Sequence, residues 1–145
     1  MPLSKTEIIQ FCLNEVESKI NQLENDIQDL NTSLNQETKS SAGDKHETGR
    51  AMVQLEIESY SKNLKDKSNQ RDFLKRQLGN SDHENLFTTN NGTYFLSVGL
   101  GKLKIKNEIV FVISKDSPIG QLLIKANSGE IILFNGQKIY IRSVE

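Results

Sequence analysis

Two carboxylates three residues apart, Asp44 and Glu47, are the residues of this chain whose type and spacing could do chemistry. They lie in Lys39–Arg50, KSSAGDKHETGR, a stretch of small, polar and charged residues without a large apolar side chain. On a helix, residues three apart share a face. Such a pair could offer its oxygens to a metal ion. The same D-x-x-E spacing is also a capping box, with Asp44 as cap and Glu47 reaching back to the backbone. Acids in a first helical turn are favoured by the helix dipole in either case. Spacing alone leaves both readings open. Lys39, Lys45, His46 and Arg50 surround the acids.

The rest of the composition limits what such a pair can belong to. The 145 residues carry a formal net charge of −1, so there is no global basic field, and any RNA or DNA contact must be local or through a partner. A mean hydropathy of −0.52 with 26% charged residues fits a chain with a high ratio of surface to core. Cys12 is the single cysteine; it excludes an internal disulfide, fits a reducing cytoplasm and reads as a small apolar helix residue. No apolar run approaches the ~18 residues of a membrane span, and MPLSKTEIIQ lacks a signal-peptide core. The scattered Cys and two His make no zinc site. No Ser/His/Asp grouping, Walker glycine loop or GxGxxG appears, which disfavours an independent enzyme.

Two long helices must position the acids. Ser4 or Thr6 can cap the first, with Glu7 three residues after Ser4. Apolar residues then fall at Ile9, Leu13, Val16, Ile20, Leu23, Ile27, Leu30 and Leu34, a heptad seam without Gly or Pro. A second seam runs through Val53, Ile57, Tyr60, Leu64, Lys67, Arg71, Leu74 and Leu78. Each member of one seam, from Leu34 with Val53 to Ile9 with Leu78, has a mirror partner in the other about a centre between Gly43 and Asp44. The pattern predicts an antiparallel coiled-coil hairpin over 1–78 with its tip near 39–50. Residues 1–38 carry a net −5 and residues 50–78 a net +3, which favours pairing of the two arms. Lys67 and Arg71 face Ile20 and Val16; their stems are expected to pack and their heads to reach toward Glu17 and Glu24. Gly79 suits a left-handed end to the second helix.

Beyond a linker at 79–91 the composition turns β-rich. Residues 94–98, 102–106 and 109–113 read as strands. Ser117-Pro118 opens a short helix running to about Ala126, which presents Ile119, Leu122, Leu123 and Ala126 to a core. Residues 131–134 and 138–142 form a hairpin about Asn135-Gly136. The expected domain, 92–145, is one helix on an antiparallel sheet, and the fold class of the chain is α+β.

With both parts placed, the chain resembles the Gre family of bacterial transcription elongation factors, the transcript-cleavage factors that enter the secondary channel of RNA polymerase. Residues 113–130, ISKDSPIGQLLIKANSGE, resemble the family's IS…SPLG…LLGK..GDE block, and the terminal hairpin follows as in the family. Gly43 to Glu47 (GDKHE) resembles the family's G-D-x-x-E, whose two acids are its functional pair. Thr48-Gly49-Arg50-Ala51 stands where the family usually has Asn-Ala-Glu-Tyr, and the segment before Ile113 is shorter than usual.

The resemblance implies a coiled-coil finger joined to an FKBP-like, polymerase-docking domain. It implies that Asp44 and Glu47 are delivered to the polymerase active site, where they help hold a catalytic Mg²⁺ shared with the polymerase. The chain would have no cofactor of its own and would stimulate the polymerase's intrinsic RNA cleavage. Lys39, Lys45 and Arg50 would contact the nascent RNA 3′ end, and Pro118, Ile119, Gly120 and Leu122 would belong to the docking surface. A cytoplasmic monomer bound to bacterial RNA polymerase, away from membranes, is implied. The altered residues 48–51 motivate an alternative, a secondary-channel regulator or inhibitor without cleavage stimulation. A remote alternative is a peptidyl-prolyl isomerase or chaperone; Tyr94, Phe95, Phe111, Phe134 and Tyr140 are few aromatics for a proline pocket.

Overall fold

Two 35-residue helices, α1 (Lys5–Lys39) and α2 (Asp44–Leu78), precede six strands and one short helix in the computed structural model. It describes residues 3–39, 44–80 and 82–145, without the side chains of 37–39 and 44–47. The strands are β1 (Leu86–Thr89), β2 (Gly92–Leu96), β3 (Gly101–Ile105), β4 (Glu108–Ile113), β5 (Ile131–Phe134) and β6 (Gln137–Val144), with α3 (Pro118–Leu123) between β4 and β5. The chain divides into two compact units, residues 14–72 and residues 1–13 with 73–145.

Residues 14–72 hold the greater part of the two long helices, which pack against each other. Every seam position from Val16 to Leu34 and from Val53 to Arg71 is buried or half-buried. A two-helix element can cover one stripe of each helix and little more, so Met52 and Leu55, off the seam, stay largely exposed. Lys19 lies close enough to Lys67 to help hold the Lys67 ammonium below its ordinary pKa, after the larger effect of its desolvation. That proximity falls within one residue of the mirrored pair Ile20 and Lys67. The heads of the seam cations do not find the acids the sequence suggested. Lys67 Nζ donates to Gln70 Oε1 at 3.2 Å, and Arg71 lies 3.6 Å from Asp72. In both cases a residue within one turn of the same helix costs less side-chain ordering than a reach across the seam.

In the second unit the start of α1 is fixed by the reciprocal capping box. Glu7 N–H donates to Ser4 Oγ at 3.1 Å, and Ser4 N–H donates to Glu7 Oε1 at 3.3 Å. The other Glu7 oxygen takes the Lys106 ammonium. Lys106, then the Ser4 amide, draw the Glu7 carboxyl below its ordinary value of 4.5. The end of α2 is tightened by three-residue turns, Gly79 N–H to Arg76 O and Asn80 N–H to Gln77 O, both 3.2 Å. Gly79 is not among the residues with positive φ, so the expected left-handed cap is replaced by 3₁₀-type bonds, which satisfy the same orphan carbonyls.

The sheet has the order β3-β4-β2-β1-β6-β5. It is mixed rather than wholly antiparallel, because β2 and β4 are parallel, with Tyr94 opposite Phe111 and Leu96 opposite Ile113. The loop around Ser97–Leu100 carries the chain past the place of β4, and β4 returns between β3 and β2. That return turns on Lys106 and Asn107, with φ of 48° and 68°, the positive pair a two-residue hairpin needs. Asn135 and Gly136, with φ of 51° and 78°, do the same between β5 and β6, where the sequence placed them. Inside the stretch expected as linker, residues 86–89 form β1, which pairs with β2 and with β6. α3 ends at Leu123, three residues earlier than expected, with Ile124 as its cap.

Alternation along the strands makes two apolar faces. Phe87, Tyr94, Leu96, Ile139 and Ile141 form one core with Leu123 and Ala126. On the other side Phe95, Val110 and Val112 are fully buried, as are Ile8, Cys12 and Leu74 from the helix ends of the same unit. β4, EIVFVI, is apolar on both faces because both are covered. Gln77 ties the last turn of α2 to the sheet: its Nε2 donates to Leu96 O at 2.8 Å, and Ser97 Oγ donates to its Oε1 at 2.6 Å.

Candidate functional site

The acids come first. α2 begins at Asp44, so Asp44 and Glu47 both belong to its first turn, where unsatisfied N–H groups and the helix dipole favour negative charge. Their side chains, and those of Lys39, Lys45 and His46, lie outside the described residues. Capping and cation binding remain two uses of the same oxygens. Arg50, one turn further on, is half-buried, and its Nε is buried without a hydrogen-bond partner. Thr48 and Gly49 are weak helix formers, so local propensity does little to fix this first turn.

The residues the resemblance placed at a docking surface divide into two pairs. Ser117 caps α3: its Oγ accepts the Gly120 N–H at 3.1 Å and donates to Ser114 O at 2.6 Å. Gly120 is buried, and a Cβ there would run into the Ser114 carbonyl oxygen and come within 2.9 Å of Lys115 Cα. Ile119 is half-buried against the core. Ile119 and Gly120 thus hold the helix to the sheet. Pro118 and Leu122, one turn apart, are exposed and form a small apolar ledge.

Beside that ledge lies a cavity of about 490 Å³ whose apolar wall is Tyr94, Phe111, Ile113, Ile119, Phe134 and Ile139. The Tyr94 and Phe111 rings stack with centroids 4.7 Å apart. Burial pushes the Tyr94 phenol above its ordinary value of 10.0. The hydroxyl makes no hydrogen bond among the described residues, and Tyr94 lines the cavity. Sequence reasoning counted these aromatics without bringing them together. Period-2 alternation puts Tyr94 with Leu96 and Phe111 with Ile113, but only the parallel β2–β4 register sets the two pairs side by side.

Among the described residues no group of three His, Cys, Asp or Glu side chains could hold a metal ion, and no helix is long and apolar enough to cross a membrane. Comparison with family models, curated proteins and solved structures gave no match to this chain.

Proposed function

We propose that the chain is a bacterial transcription elongation factor of the Gre type. In this reading it binds RNA polymerase through an FKBP-like domain, inserts the helical hairpin into the secondary channel and stimulates cleavage of backtracked transcripts. The observation that carries the reading is the pairing of two 35-residue helices separated by four residues, with Asp44 and Glu47 in the first turn after them. At 1.5 Å per residue each helix is about 52 Å long, enough to take a carboxylate pair deep into a channel.

The chain's own part would be delivery. Asp44 and Glu47 add ligand oxygens at the polymerase active site and orient an attacking water. The Mg²⁺ held there with the polymerase supplies charge stabilisation of the in-line displacement. Lys39, Lys45 and Arg50 meet the phosphates of the RNA 3′ end, and Pro118 and Leu122 are the outward part of the docking surface. The test is a stalled-complex assay with purified bacterial RNA polymerase. Shortening of the transcript that is lost on Asp44→Ala or Glu47→Ala supports the proposal. Binding without shortening supports the regulator or inhibitor, and absence of binding removes both.

A second reading rests on the aromatic cavity. Tyr94, Phe111 and Phe134 around one space, with an unpartnered phenol, suit a proline ring and its preceding carbonyl, the substrate of a peptidyl-prolyl isomerase. A protease-coupled isomerisation assay on an Ala-Pro peptide separates it from the first, since Tyr94→Phe would lower that activity and leave transcript cleavage intact.

A further inference from the structure

A second cavity of about 560 Å³ lies where the last turn of α2 meets the sheet. Phe73 and Ile124 stand on its lips, 39% and 51% exposed, and Leu96 lies beneath. Arg76 and Lys115 line it, and neither makes an ion pair or side-chain hydrogen bond among the described residues. Its floor is fixed by the Gln77 bonds to Leu96 and Ser97. Asn85 also lines it. It is only 8% exposed, and its Oδ1 is buried without a hydrogen-bond partner. The Asn85 backbone is satisfied, with its N–H on Glu145 O and its carbonyl accepting from Leu96 N–H, so the unmet demand belongs to the side chain alone. A buried acceptor left open costs about 1–3 kcal/mol, and a ligand N–H would remove that cost.

We propose that this groove is a docking site for a short extended segment of a partner protein, one that carries an aliphatic or aromatic side chain beside Asp or Glu. The apolar side chain would cover Phe73 and Ile124, the carboxylate would pair with Arg76 and Lys115, and a backbone N–H would meet Asn85 Oδ1. The volume falls within the range of about 300–1,000 Å³ in which small ligands and side-chain anchors are held. Glu84 and His83 also line the groove. Glu84 is its one acid, set against the two unpaired cations Arg76 and Lys115. A nucleic acid strand fits less well, because Glu84 stands among the cations and the chain as a whole is net negative. This surface involves neither the acids of α2 nor the Pro118–Leu122 ledge, so the proposal stands or falls apart from the function proposed above.

The test is selection of a random-peptide display library on the immobilised full chain, followed by fluorescence anisotropy with a synthetic peptide from the enriched set. Enrichment of sequences with Asp or Glu next to Leu, Ile or Phe is expected. The selected peptide should shift the amide resonances of Gln77 and Ser97. The double variant R76E/K115E, both sites exposed and its fold checked by circular dichroism, should bind about tenfold more weakly or worse. Asn85→Leu should weaken binding of the same peptide. No enrichment, enrichment of basic sequences, equal binding by the double variant, or shifts confined to other residues each overturn the proposal. Displacement of the peptide by single-stranded oligouridylate would assign the groove to nucleic acid instead.

Discussion

Replacing Lys67 by Leu should stabilise the helical pair. Lys67 occupies a seam position across from Ile20, is half-buried, and has its ammonium disfavoured by desolvation and by Lys19. Lys and Leu have nearly equal helix propensity, so the change acts through the seam. The charge contribution is screened, because the ammonium is only partly desolvated, and amounts to a few tenths of a kcal/mol. The better-buried aliphatic end adds the equivalent of about one methylene, ~0.8 kcal/mol. Together these give about 1 kcal/mol, or 2–4 °C in Tm for a chain of this size. Thermal melting by far-ultraviolet circular dichroism reads the shift at neutral pH, with Lys62→Leu, at an exposed position, as the control expected to move little. The pH dependence checks the cause. A lysine whose folded pKa is depressed destabilises while it is charged and ceases to do so as it deprotonates. The advantage of the variant should therefore shrink as pH rises toward the ordinary lysine value of 10.5. A variant no more stable than the Lys62 control, or an advantage independent of pH, would refute the seam assignment.

Other outcomes follow from single contacts. The depressed Glu7 carboxyl contributes stability that is present above its ordinary value of 4.5 and is lost as pH falls through its lower folded pKa; in acid melts Glu7→Gln should flatten that loss, and an unchanged acid limb would count against the capping box and its Lys106 pair. Gly120→Ala forces a Cβ onto Ser114 O and should cost about 1–3 kcal/mol in denaturant unfolding, whereas Leu122→Ala on the exposed ledge should change stability little. Spectrophotometric titration should show one tyrosine ionising above the usual phenol range, and Tyr94→Phe should abolish that late step.

The long-range plan of the helices was legible because their constraint is periodic. Sixteen seam positions share one mirror centre, and each of them is buried or half-buried. The turns were legible where chemistry is local, as at Asn135-Gly136 and at the Ser117 cap. Strand order was not, since nothing in residues 94–113 states that β4 returns between β3 and β2, and β1 was hidden in the polar stretch around Asn85–Asn90. Residues 117–120 illustrate the same limit. Ser-Pro-Ile-Gly marks a helix start, but only the path of Ser114 and Lys115 beside Gly120 reveals why a side chain has no room there. Both cavities depend on residues far apart in sequence, such as Phe73 with Lys115 or Tyr94 with Phe134, and neither has a one-dimensional signature. For Asp44 and Glu47, spacing gave two uses for the same oxygens, and their side chains lie outside the described residues.

The most direct test of the central claim is the Mg²⁺ dependence of transcript cleavage in a stalled bacterial RNA polymerase complex, with the chain present as wild type or as D44N/E47Q. If the two carboxylates help hold the cation, wild type should lower the Mg²⁺ concentration needed for half-maximal cleavage. The neutralised variant should then require about tenfold more, a loss of roughly 1.4 kcal/mol, while still competing with wild type for the polymerase. Identical Mg²⁺ dependence for the two proteins, or wild type that binds and leaves the cleavage rate unchanged, would contradict it.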